Sequence, residues 1–252
     1  MTTFNNETIW IVGASSGIGH ALAEYLSNQG ANLILSARRQ AELDNLNQDV
    51  GGSHKVLPLD VANEEDIQAK FQHIKSNGIE INRAIFLAAI YEPQKIEDLD
   101  IDHCDKMFKV NVLGCFSFTK SMLSLMKEQK QSSLKQIALC GSIAAYTGLP
   151  NGQPYSASKA AVQNFTESLK AEAPKNIDIK LISPGFIRTR ITDKNNFPMP
   201  FMQEPEAAAK AIAKGLKSKK FEIHFPKRFT LLVKLLRTLP YWLALPLTKN
   251  FK

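Results

Sequence analysis

Cysteine is scarce in this sequence, and its arrangement builds neither a disulfide framework nor a zinc site. The chain of 252 residues holds three cysteines, Cys104, Cys115 and Cys140, which are widely spaced and form no CxxC pair. An odd number at such spacing is typical of a reducing compartment. The five histidines, at positions 20, 54, 73, 103 and 224, form no cluster with ligand spacing. We therefore expect no metal site.

The N-terminus lacks both a basic region and a long apolar run. The sequence therefore predicts no signal peptide, and we expect a cytoplasmic protein. Hydrophobic residues make up 44% and charged residues 22% of the chain. These proportions are typical of soluble globular proteins and exclude disordered and fibrous classes. A chain of this length buries enough surface to fold without disulfides or a structural metal.

Acidic residues are nearly absent from the C-terminal part of the chain. Between Lys217 and Lys252 stand nine lysines and arginines and one acid, Glu222, a balance of +8 within a net charge of +7. The preceding 216 residues therefore carry a net charge of −1. Nucleic-acid-binding proteins spread a basic stripe over the fold, so this nearly neutral body argues against a nucleic-acid partner. The positive charge is a local property of the C-terminal segment.

The body of the chain alternates short apolar runs with amphipathic helical patterns. Such alternation is typical of right-handed βαβ units, in which helices cover both faces of a parallel sheet. We therefore predict an α/β fold with a doubly wound parallel sheet of about seven strands. It forms a single domain over residues 1–226, followed by a basic, apolar C-terminal extension over residues 227–252. The predicted strands cover residues 8–12, 32–36, 55–59, 84–88, 136–140, 178–182 and 221–225, and the longest predicted helices cover 64–76, 104–128 and 155–173.

A glycine turn follows the first predicted strand and opens the first predicted helix. Its spacing is GxxxGxG. Glycines at such a turn let backbone N–H groups approach a pyrophosphate at the positive end of a helix. The strand–turn–helix context favours a dinucleotide site over an ordinary glycine turn. The candidate cofactor-binding residues of this turn are Gly13, Ser15, Ser16, Gly17, Ile18 and Gly19.

The second predicted strand ends in Ser36-Ala37-Arg38-Arg39, without an acidic residue. Dinucleotide sites place at this point either an acid for a ribose hydroxyl or an arginine for a 2′-phosphate. Because guanidinium groups bind phosphate through charge-assisted hydrogen bonds, Arg38 and Arg39 favour NADP(H) over NAD(H). The alternative is that both arginines lie on a solvated helix start. Asp60 and Val61, after the third strand, are candidates for the adenine pocket, although a strand-end aspartate also caps helices.

Four polar residues are candidates for the reacting groups. Tyr155 and Lys159 lie one turn apart on one face of a predicted helix, where the ammonium is expected to lower the pKa of the phenol. Such a tyrosine can exchange a proton with an alcohol or carbonyl oxygen. Ser142 follows the fifth strand, where its hydroxyl either faces the same crevice or caps a turn. Asn111, inside an apolar helical pattern, is either a satisfied core amide or a holder of water in a proton path.

Taken together, these motifs resemble the short-chain dehydrogenase/reductase family, in its branch with GxxxGxG and YxxxK motifs, over about residues 8 to 225. The resemblance implies a Rossmann-like, hydride-transferring oxidoreductase that forms a homodimer or homotetramer. By this resemblance Tyr155 is the acid/base and Ser142 orients the carbonyl. Lys159 lowers the tyrosine pKa and holds the nicotinamide ribose, while Asn111 supports a water relay. Further cofactor-binding residues that the resemblance implies are Ala88, Pro184, Gly185, Ile187 and Thr189.

The chain departs from the family at two places. Val12 stands where the family has threonine, and Phe86-Leu87-Ala88-Ala89 replaces an Asn-Asn-Ala-Gly stretch. The family's asparagines there brace the central sheet and the adenosine pocket. The departure therefore affects the cofactor pocket and leaves the reacting groups intact.

Two further segments bear on the substrate and on partners. The lid segment after Pro184-Gly185 is rich in phenylalanine and methionine over residues 186–202, which indicates either an adaptable apolar pocket or a lid packed against the body. Residues 227–247 mix leucines, aromatics and cations with two prolines. This pattern does not fit a membrane span and favours peripheral, in-plane contact with an anionic membrane surface. A subunit contact or a cover for the pocket is the alternative.

The sequence therefore predicts an NADP(H)-dependent oxidoreductase that transfers hydride between nicotinamide and a carbonyl or alcohol on an apolar or lipid-like small molecule. The alternative is a non-catalytic NADP(H)-binding regulatory protein, since a fold does not fix a function. The tyrosine–lysine pair favours the enzyme, because a sensor has no need of it.

Overall fold

Seven short apolar segments form strands that pair side by side in parallel. The strands are β1 (Thr8–Val12), β2 (Asn32–Ser36), β3 (Lys55–Val56), β4 (Arg83–Phe86), β5 (Gln136–Cys140), β6 (Asp178–Pro184) and β7 (Glu222–Phe225). Their order in the sheet is β3-β2-β1-β4-β5-β6-β7. This computed structural model describes residues 4–129, 134–148, 150–195 and 197–248.

Helices connect the strands and cover both faces of the sheet. They are α1 (Gly17–Ser27), α2 (Gln40–Asp49), α3 (Glu64–Ser76), α4 (Ile101–Phe108), α5 (Gly114–Glu128), α6 (Tyr155–Glu172), α7 (Pro205–Leu216), α8 (Lys227–Thr238) and α9 (Tyr241–Thr248). The predicted α/β class, with a doubly wound parallel sheet of seven strands in a single domain, is confirmed.

Two hydrophobic cores fill the space between the helices and the sheet. On one face α1 and α7 pack together through small and aliphatic side chains such as Leu22 and Ile212. On the other face the Trp10 ring lies 5.0 Å from Phe71 and 5.1 Å from Phe118, between α3 and α5. Because both faces are covered, β1 and β2 are nearly continuous apolar runs, whereas β6 and β7 carry polar residues such as Lys180 and His224 between apolar ones.

The order of the strands places a crevice at the carboxyl end of the sheet. From β1 the chain proceeds to β2 on one side and later returns to β4 on the other. In open parallel sheets, ligands bind where the strand order reverses, outside the carboxyl ends of the strands. The loops that follow β1, β4 and β5 therefore face one another across a common opening.

The apolar pattern over residues 104–128 does not form the single helix that the sequence predicts. The helix begins earlier, at Ile101, because the Asp100 carboxylate caps it by accepting hydrogen bonds from the backbone of Asp102 and His103. The segment Lys109–Leu113 then forms a π-helical turn between α4 and α5. Such turns are rare and occur frequently at functional sites.

The C-terminal residues form two further helices that continue from β7. The inner side of α8 packs through Phe229 and Val233 against Ile143 and Tyr146. Among the described residues no helix combines the length and apolar character needed to cross a membrane. The boundary placed at residue 226 stays a prediction.

Candidate active site

The loops at the carboxyl ends of the strands enclose a cleft of about 370 Å³. The cleft is lined by predicted site residues from several distant parts of the chain. Asn111 is buried and does not line the cleft, although its neighbour Val110 does. Within the described ranges we find no group of histidine, cysteine and acidic side chains able to hold a metal ion. The predicted site residues in the wall are Gly13, Ser15, Ser16, Gly17, Ile18, Gly19, Arg38, Arg39, Asp60, Val61, Ala88, Ser142, Tyr155, Lys159, Pro184, Gly185, Ile187 and Thr189.

The glycine turn leaves a concave cradle at the start of α1. Gly13 has a φ of +96°, and a Cβ there would lie 2.7 Å from the backbone nitrogen of Ala88. A Cβ on Gly19 would lie 2.1 Å from the carbonyl oxygen of Gly13. Ser16, the N-cap residue of α1, makes no side-chain capping bond. The first N–H groups of the helix therefore face the cleft, which is the arrangement that binds phosphate.

The two arginines after β2 differ in how they are engaged. Arg39 is paired with Glu42, with its Nε 2.7 Å from Oε1. Arg190, from the segment after β6, also approaches this carboxylate, at 3.5 Å. The hydrogen bond from Arg39 holds the pKa of Glu42 below its usual value. Arg38 is exposed and has no hydrogen bond or ion pair with any residue that the structure describes, so it is the guanidinium available to a ligand.

Asp60 closes the turn that follows β3 and does not cap α3, whose N-cap residue is Asn63. Its Oδ1 accepts a hydrogen bond of 3.0 Å from the backbone nitrogen of Ala62. Asp60 and Val61 also line the cleft on the side of Arg38. This contact within the turn and a place in the adenine pocket are therefore compatible.

Tyr155 and Lys159 lie at the start of α6, as the one-turn spacing predicts. The Lys159 Nζ is 5.7 Å from the centre of the Tyr155 ring and donates a hydrogen bond of 2.8 Å to the Cys140 carbonyl. The predicted direction of the tyrosine pKa is wrong in this structure. Burial raises the pKa of Tyr155, the nearby Cys140 adds to the rise, and the hydrogen bond with Ser142 lowers it only in part.

Ser142 stands directly beside the tyrosine. It begins the short turn after β5, and its Oγ accepts a hydrogen bond of 3.1 Å from the Ala144 backbone. Its side chain lies close enough to Tyr155 to lower the pKa of that phenol in part, and both side chains line the cleft. Because the turn fixes the Ser142 backbone, both hydroxyls are presented to the cleft at the same point. Turn capping and a site role therefore coexist in one residue.

Asn111 lies on the π-helical turn and is almost fully buried. Its Oδ1 accepts from the Ile90 backbone nitrogen at 2.8 Å, and its Nδ2 donates to the Ile90 carbonyl at 3.0 Å and to the Ser158 Oγ at 3.1 Å. The side chain thus ties the loop after β4 to α6, one residue before Lys159. In this structure Asn111 has the contacts of a satisfied core amide.

A second tyrosine, which sequence reasoning missed, stands over the first. The rings of Tyr91 and Tyr155 meet edge to face with centres 4.9 Å apart. The Tyr91 hydroxyl donates a hydrogen bond of 2.5 Å to Asn195 Oδ1, and burial raises the pKa of Tyr91 to about 12. Lys194 contacts the neighbouring Glu92 and donates to the Tyr91 carbonyl at 3.1 Å. These contacts close the lid segment onto the loop after β4.

A smaller chamber of about 110 Å³ opens beside Tyr155. Tyr91, Ser142 and Tyr155 belong to the walls of both cavities. The remaining wall is largely apolar, and the lid contributes to it through phenylalanine and proline, whereas Met199 of the lid contacts Asn195 instead. The largest apolar side chains in the wall are Ile143, Phe186, Ile191, Phe197 and Pro198.

The missed residues carried little signal in the sequence. Tyr91 lies in a loop without a motif, and its position over Tyr155 depends on the π-helical turn and Asn111. Glu42 is an ordinary surface acid of a helix until folding brings Arg190 to it from a distant segment. Only its spacing to Arg39, three residues along one helix, could have indicated an ion pair.

Comparisons with known proteins agree with this geometry. A family model described as short chain dehydrogenase matches residues 7–199. An uncharacterized oxidoreductase of Staphylococcus aureus (strain USA300) is 33% identical over 218 residues, covering 86% of this chain and 93% of that protein. One of Myxococcus xanthus (strain DK1622) is 27% identical over 244 residues, 95% of each chain.

Two solved structures are similar in fold. A short chain dehydrogenase from Burkholderia cenocepacia J2315 in complex with NADP has a TM-score of 0.81 and 25% identity, covering 96% of this chain and 98% of that one. A short chain dehydrogenase/reductase from Burkholderia phymatum in complex with NAD has a TM-score of 0.82 and 20% identity, covering 93% and 94%. Since one complex holds NADP and the other NAD, the fold alone does not select the cofactor.

Proposed function

The chain belongs to the short chain dehydrogenase family of oxidoreductases, and from this membership we propose that it is an NADP(H)-dependent enzyme that reduces the carbonyl group of an apolar small molecule. The observation that carries the proposal is the pair of Tyr155 and Ser142 hydroxyls at one point of the cleft, opposite a glycine cradle. Members of this family bind a nicotinamide cofactor and act on small molecules.

The residues of the cleft fit a phosphorylated dinucleotide. A Cβ at Gly13 or Gly19 would fill the cradle at the start of α1, where helix N–H groups would hold the pyrophosphate. The unpaired Arg38 stands beside the cradle and would bind a 2′-phosphate. Pro184 and Gly185 would flank the nicotinamide, together with Ile187 and Thr189. When bound, the cofactor supplies the hydride.

Tyr155 supplies the proton in this proposal. Because burial raises the pKa of Tyr155, the hydroxyl keeps its proton at neutral pH and can donate it from Oη to a carbonyl oxygen as the alcohol forms. In the reverse direction the deprotonated Tyr155 oxygen would accept the proton of an alcohol, since one site catalyses both directions of the reaction. The Ser142 hydroxyl beside it donates a second hydrogen bond to the same oxygen and stabilises its developing negative charge.

Lys159 and Asn111 keep the tyrosine in place. Lys159 is held by its bond to the Cys140 carbonyl, with its Nζ 5.7 Å from the centre of the Tyr155 ring, where it would stabilise the phenolate that is left after proton donation. Asn111 fixes both α6, through Ser158, and the loop that carries Tyr91. It acts as a positioning residue, because its amide atoms are occupied by protein partners.

The small chamber supports the proposal of an apolar substrate. Its apolar wall would remove apolar surface of the substrate from water. The hydroxyls of Tyr155 and Ser142 are polar groups on which a carbonyl oxygen could rest. We therefore assign to the chamber a compact apolar group attached to the reacting carbonyl.

The proposal is tested by following NADPH oxidation over a panel of aldehydes and ketones of increasing apolar size. In the Tyr155→Phe variant we expect turnover to fall by about 10²–10⁴-fold, while NADPH still binds as measured by fluorescence. Tyr91→Phe is the matched control, because it removes the same atom from the neighbouring ring; its kcat should remain within about tenfold of the wild type.

The same assay distinguishes NADPH from NADH as the cofactor, and an enzyme from a non-catalytic regulatory protein. With Arg38 unpaired, we expect kcat/KM for NADPH to exceed that for NADH by about tenfold or more, since hydrogen bonds to charged groups contribute about 1.5–3 kcal/mol. Equal use of the two cofactors would contradict the NADP(H) assignment. Tight NADPH binding without turnover on the whole panel would contradict the enzyme and favour a regulatory protein.

A further inference from the structure

Helices α8 and α9 present apolar side chains to solvent on the side away from the body. Six of these side chains are between 51% and 81% exposed. We call them the C-terminal apolar face: Leu231, Leu232, Leu235, Tyr241, Trp242 and Leu245. Monomeric soluble proteins rarely expose large apolar side chains in such number over one segment, so this surface indicates a binding partner.

The charges of the segment that carries this face are all of one sign. Residues 227–252 contain six lysines and arginines and no acid. Arg228 lies one turn before Leu231 and Leu232, on the same side of α8, and Arg237 is exposed two residues after Leu235. Long cationic side chains beside leucine, with tryptophan and tyrosine, are the composition of helices that lie in the plane of an anionic bilayer.

A second copy of the chain fits this face less well. A symmetric contact between two copies places the same patch on both sides. It would therefore bring Arg228 and Arg237 of each copy towards those of the other, and the segment offers no carboxylate to neutralise them. Phosphate headgroups of anionic lipids would neutralise them, with about 1 kcal/mol per cation near the surface.

The inner side of α8 joins the face to the substrate chamber. Phe229 stacks on Phe186 of the chamber wall at 5.6 Å, and the half-exposed Phe201 of the lid stacks on Phe229 at 5.7 Å. Lys234 of the same helix is bonded to the Glu222 carboxylate at the start of β7. The apolar face is thus fixed on the outside of a helix whose inside lies against the chamber.

We propose that the C-terminal apolar face docks the protein on an anionic lipid bilayer, and that the carbonyl substrate reaches the chamber from that bilayer. The second half rests on the proposed reductase function, whereas docking does not. The face would lie at the boundary between the lipid headgroups and the acyl chains. The lid residue Phe201 would lie at the same membrane surface. The substrate class is then a carbonyl compound that partitions into lipid.

The test is flotation of the full-length protein with vesicles of phosphatidylcholine alone and of phosphatidylcholine with phosphatidylglycerol. We expect binding to the anionic vesicles, and a loss of at least about tenfold in partition coefficient for the double variant Leu232→Ser/Leu235→Ser. Ile96→Ser, which changes an exposed aliphatic residue in the segment between β4 and α4, is the matched control and should bind as the wild type does.

Charge is tested separately. Arg228→Gln should lower binding to anionic vesicles by about fivefold, the equivalent of about 1 kcal/mol, and Lys120→Gln, an exposed cation of α5, should not. All these side chains are exposed, so melting temperatures should match. NADPH oxidation with a water-soluble aldehyde should be equal for all variants, whereas reduction of a vesicle-borne ketone should slow only in the α8 variants.

Three outcomes would overturn docking: no flotation of the wild type with anionic vesicles, equal flotation of the double variant, or conversion of a wild-type dimer to a monomer by that variant without vesicle binding. The last result would assign the face to a second copy. Flotation with an inactive enzyme would instead reject only the reductase, so the two failures are distinguishable.

Discussion

The two ends of the parallel sheet differ in whether their polar side chains are paired with other protein groups. At the amino end, charged side chains are paired with carboxylates and carbonyls. Arg83, at the start of β4, has its Nε 2.5 Å from Glu7 Oε2 and donates to the Leu216 carbonyl at 3.0 Å. Lys180 of β6 donates to two backbone carbonyls and lies 3.1 Å from Asp178 Oδ2.

At the carboxyl end, polar groups face a cavity instead. Ser142 and Tyr155 line both the open cleft and the small chamber beside it, and Arg38 has no partner among the described residues. Because an unpaired buried charge costs several kcal/mol, the pairing at the amino end serves stability. Groups that are left open beside a cleft are available to a ligand, and this difference locates function at the carboxyl end.

The comparison predicts its largest effect for Arg83→Met. The change leaves Glu7 with a partly buried carboxylate and no guanidinium, so we expect the free energy of unfolding to fall by about 3–5 kcal/mol. Turnover per folded molecule and KM should remain those of the wild type. Urea denaturation and NADPH oxidation below the transition measure the two quantities.

Arg188→Met is the control for that change. Arg188 makes a similar 2.8 Å contact with Glu204, but both side chains are more than half exposed. Its loss should leave the free energy of unfolding nearly unchanged, because solvent screens an exposed ion pair. An Arg83 variant of normal stability and low turnover would contradict the conclusion that the amino end of the sheet serves stability and the carboxyl end serves function.

Ser142→Ala tests the opposite end. Loss of its hydroxyl should lower kcat/KM by about 10²–10³-fold, while the free energy of unfolding changes by about 1 kcal/mol, the usual cost of a lost cap. Ser156→Ala is the control. Its hydroxyl is buried nearby and donates to the Ala144 carbonyl at 2.6 Å, but it lines neither cavity. Similar losses of activity in both variants would show that the turn matters rather than the hydroxyl.

Glu222→Gln examines an intermediate case, an ion pair that anchors α8. Burial alone would raise the pKa of Glu222, but hydrogen bonds from Lys234 and Tyr146 hold it below the usual 4.5. The stabilisation is therefore present at neutral pH and is lost as pH falls below about 4.5. We expect the variant to be less stable by about 1.5–3 kcal/mol at pH 7, with the difference shrinking on acidification.

Thermal denaturation of both proteins from neutral to acidic pH measures this effect. Glu97→Gln, at an exposed carboxylate, is the control and should be as stable as the wild type at pH 7. A constant gap between wild type and Glu222→Gln at all pH values would mean that the carboxylate contributes through packing and not through its charge.

The sequence predicts the frame of the molecule well because local pattern and fold agree there. Strands such as β1, β2 and β5 fall at their predicted residues, since both faces of the sheet are covered and the runs are continuously apolar. The glycine spacing likewise predicts a turn whose close contact with Ala88 permits no side chain. These features depend on residues that are close in sequence and on the rule that strands covered on both faces are apolar.

The rest depends on contacts between distant segments. The π-helical turn at Asn111 exists because its amide pairs with Ile90 and Ser158, which no local pattern indicates. The pKa of Tyr155 was predicted from one neighbour, Lys159, whereas burial by the whole site decides its direction. Desolvation is a property of the folded environment and cannot be obtained from spacing.

The smallest predicted effect concerns Glu42, which occupies Arg39 and Arg190 at the edge of the cleft. Glu42 lies at the carboxyl end of the sheet but is paired with arginines, as Glu7 is at the amino end. If a 2′-phosphate must compete with this carboxylate, Glu42→Gln should lower the Kd for NADPH by about threefold, since exposed ion pairs contribute about 0.2–1 kcal/mol. The Kd for NADH, which has no such phosphate, should not change. Asp44→Asn removes the same charge from α2 beside Gln40 and should leave both dissociation constants unaltered. An unchanged or weaker NADPH affinity in Glu42→Gln would show that the carboxylate does not compete with the 2′-phosphate but orients the two arginines towards it.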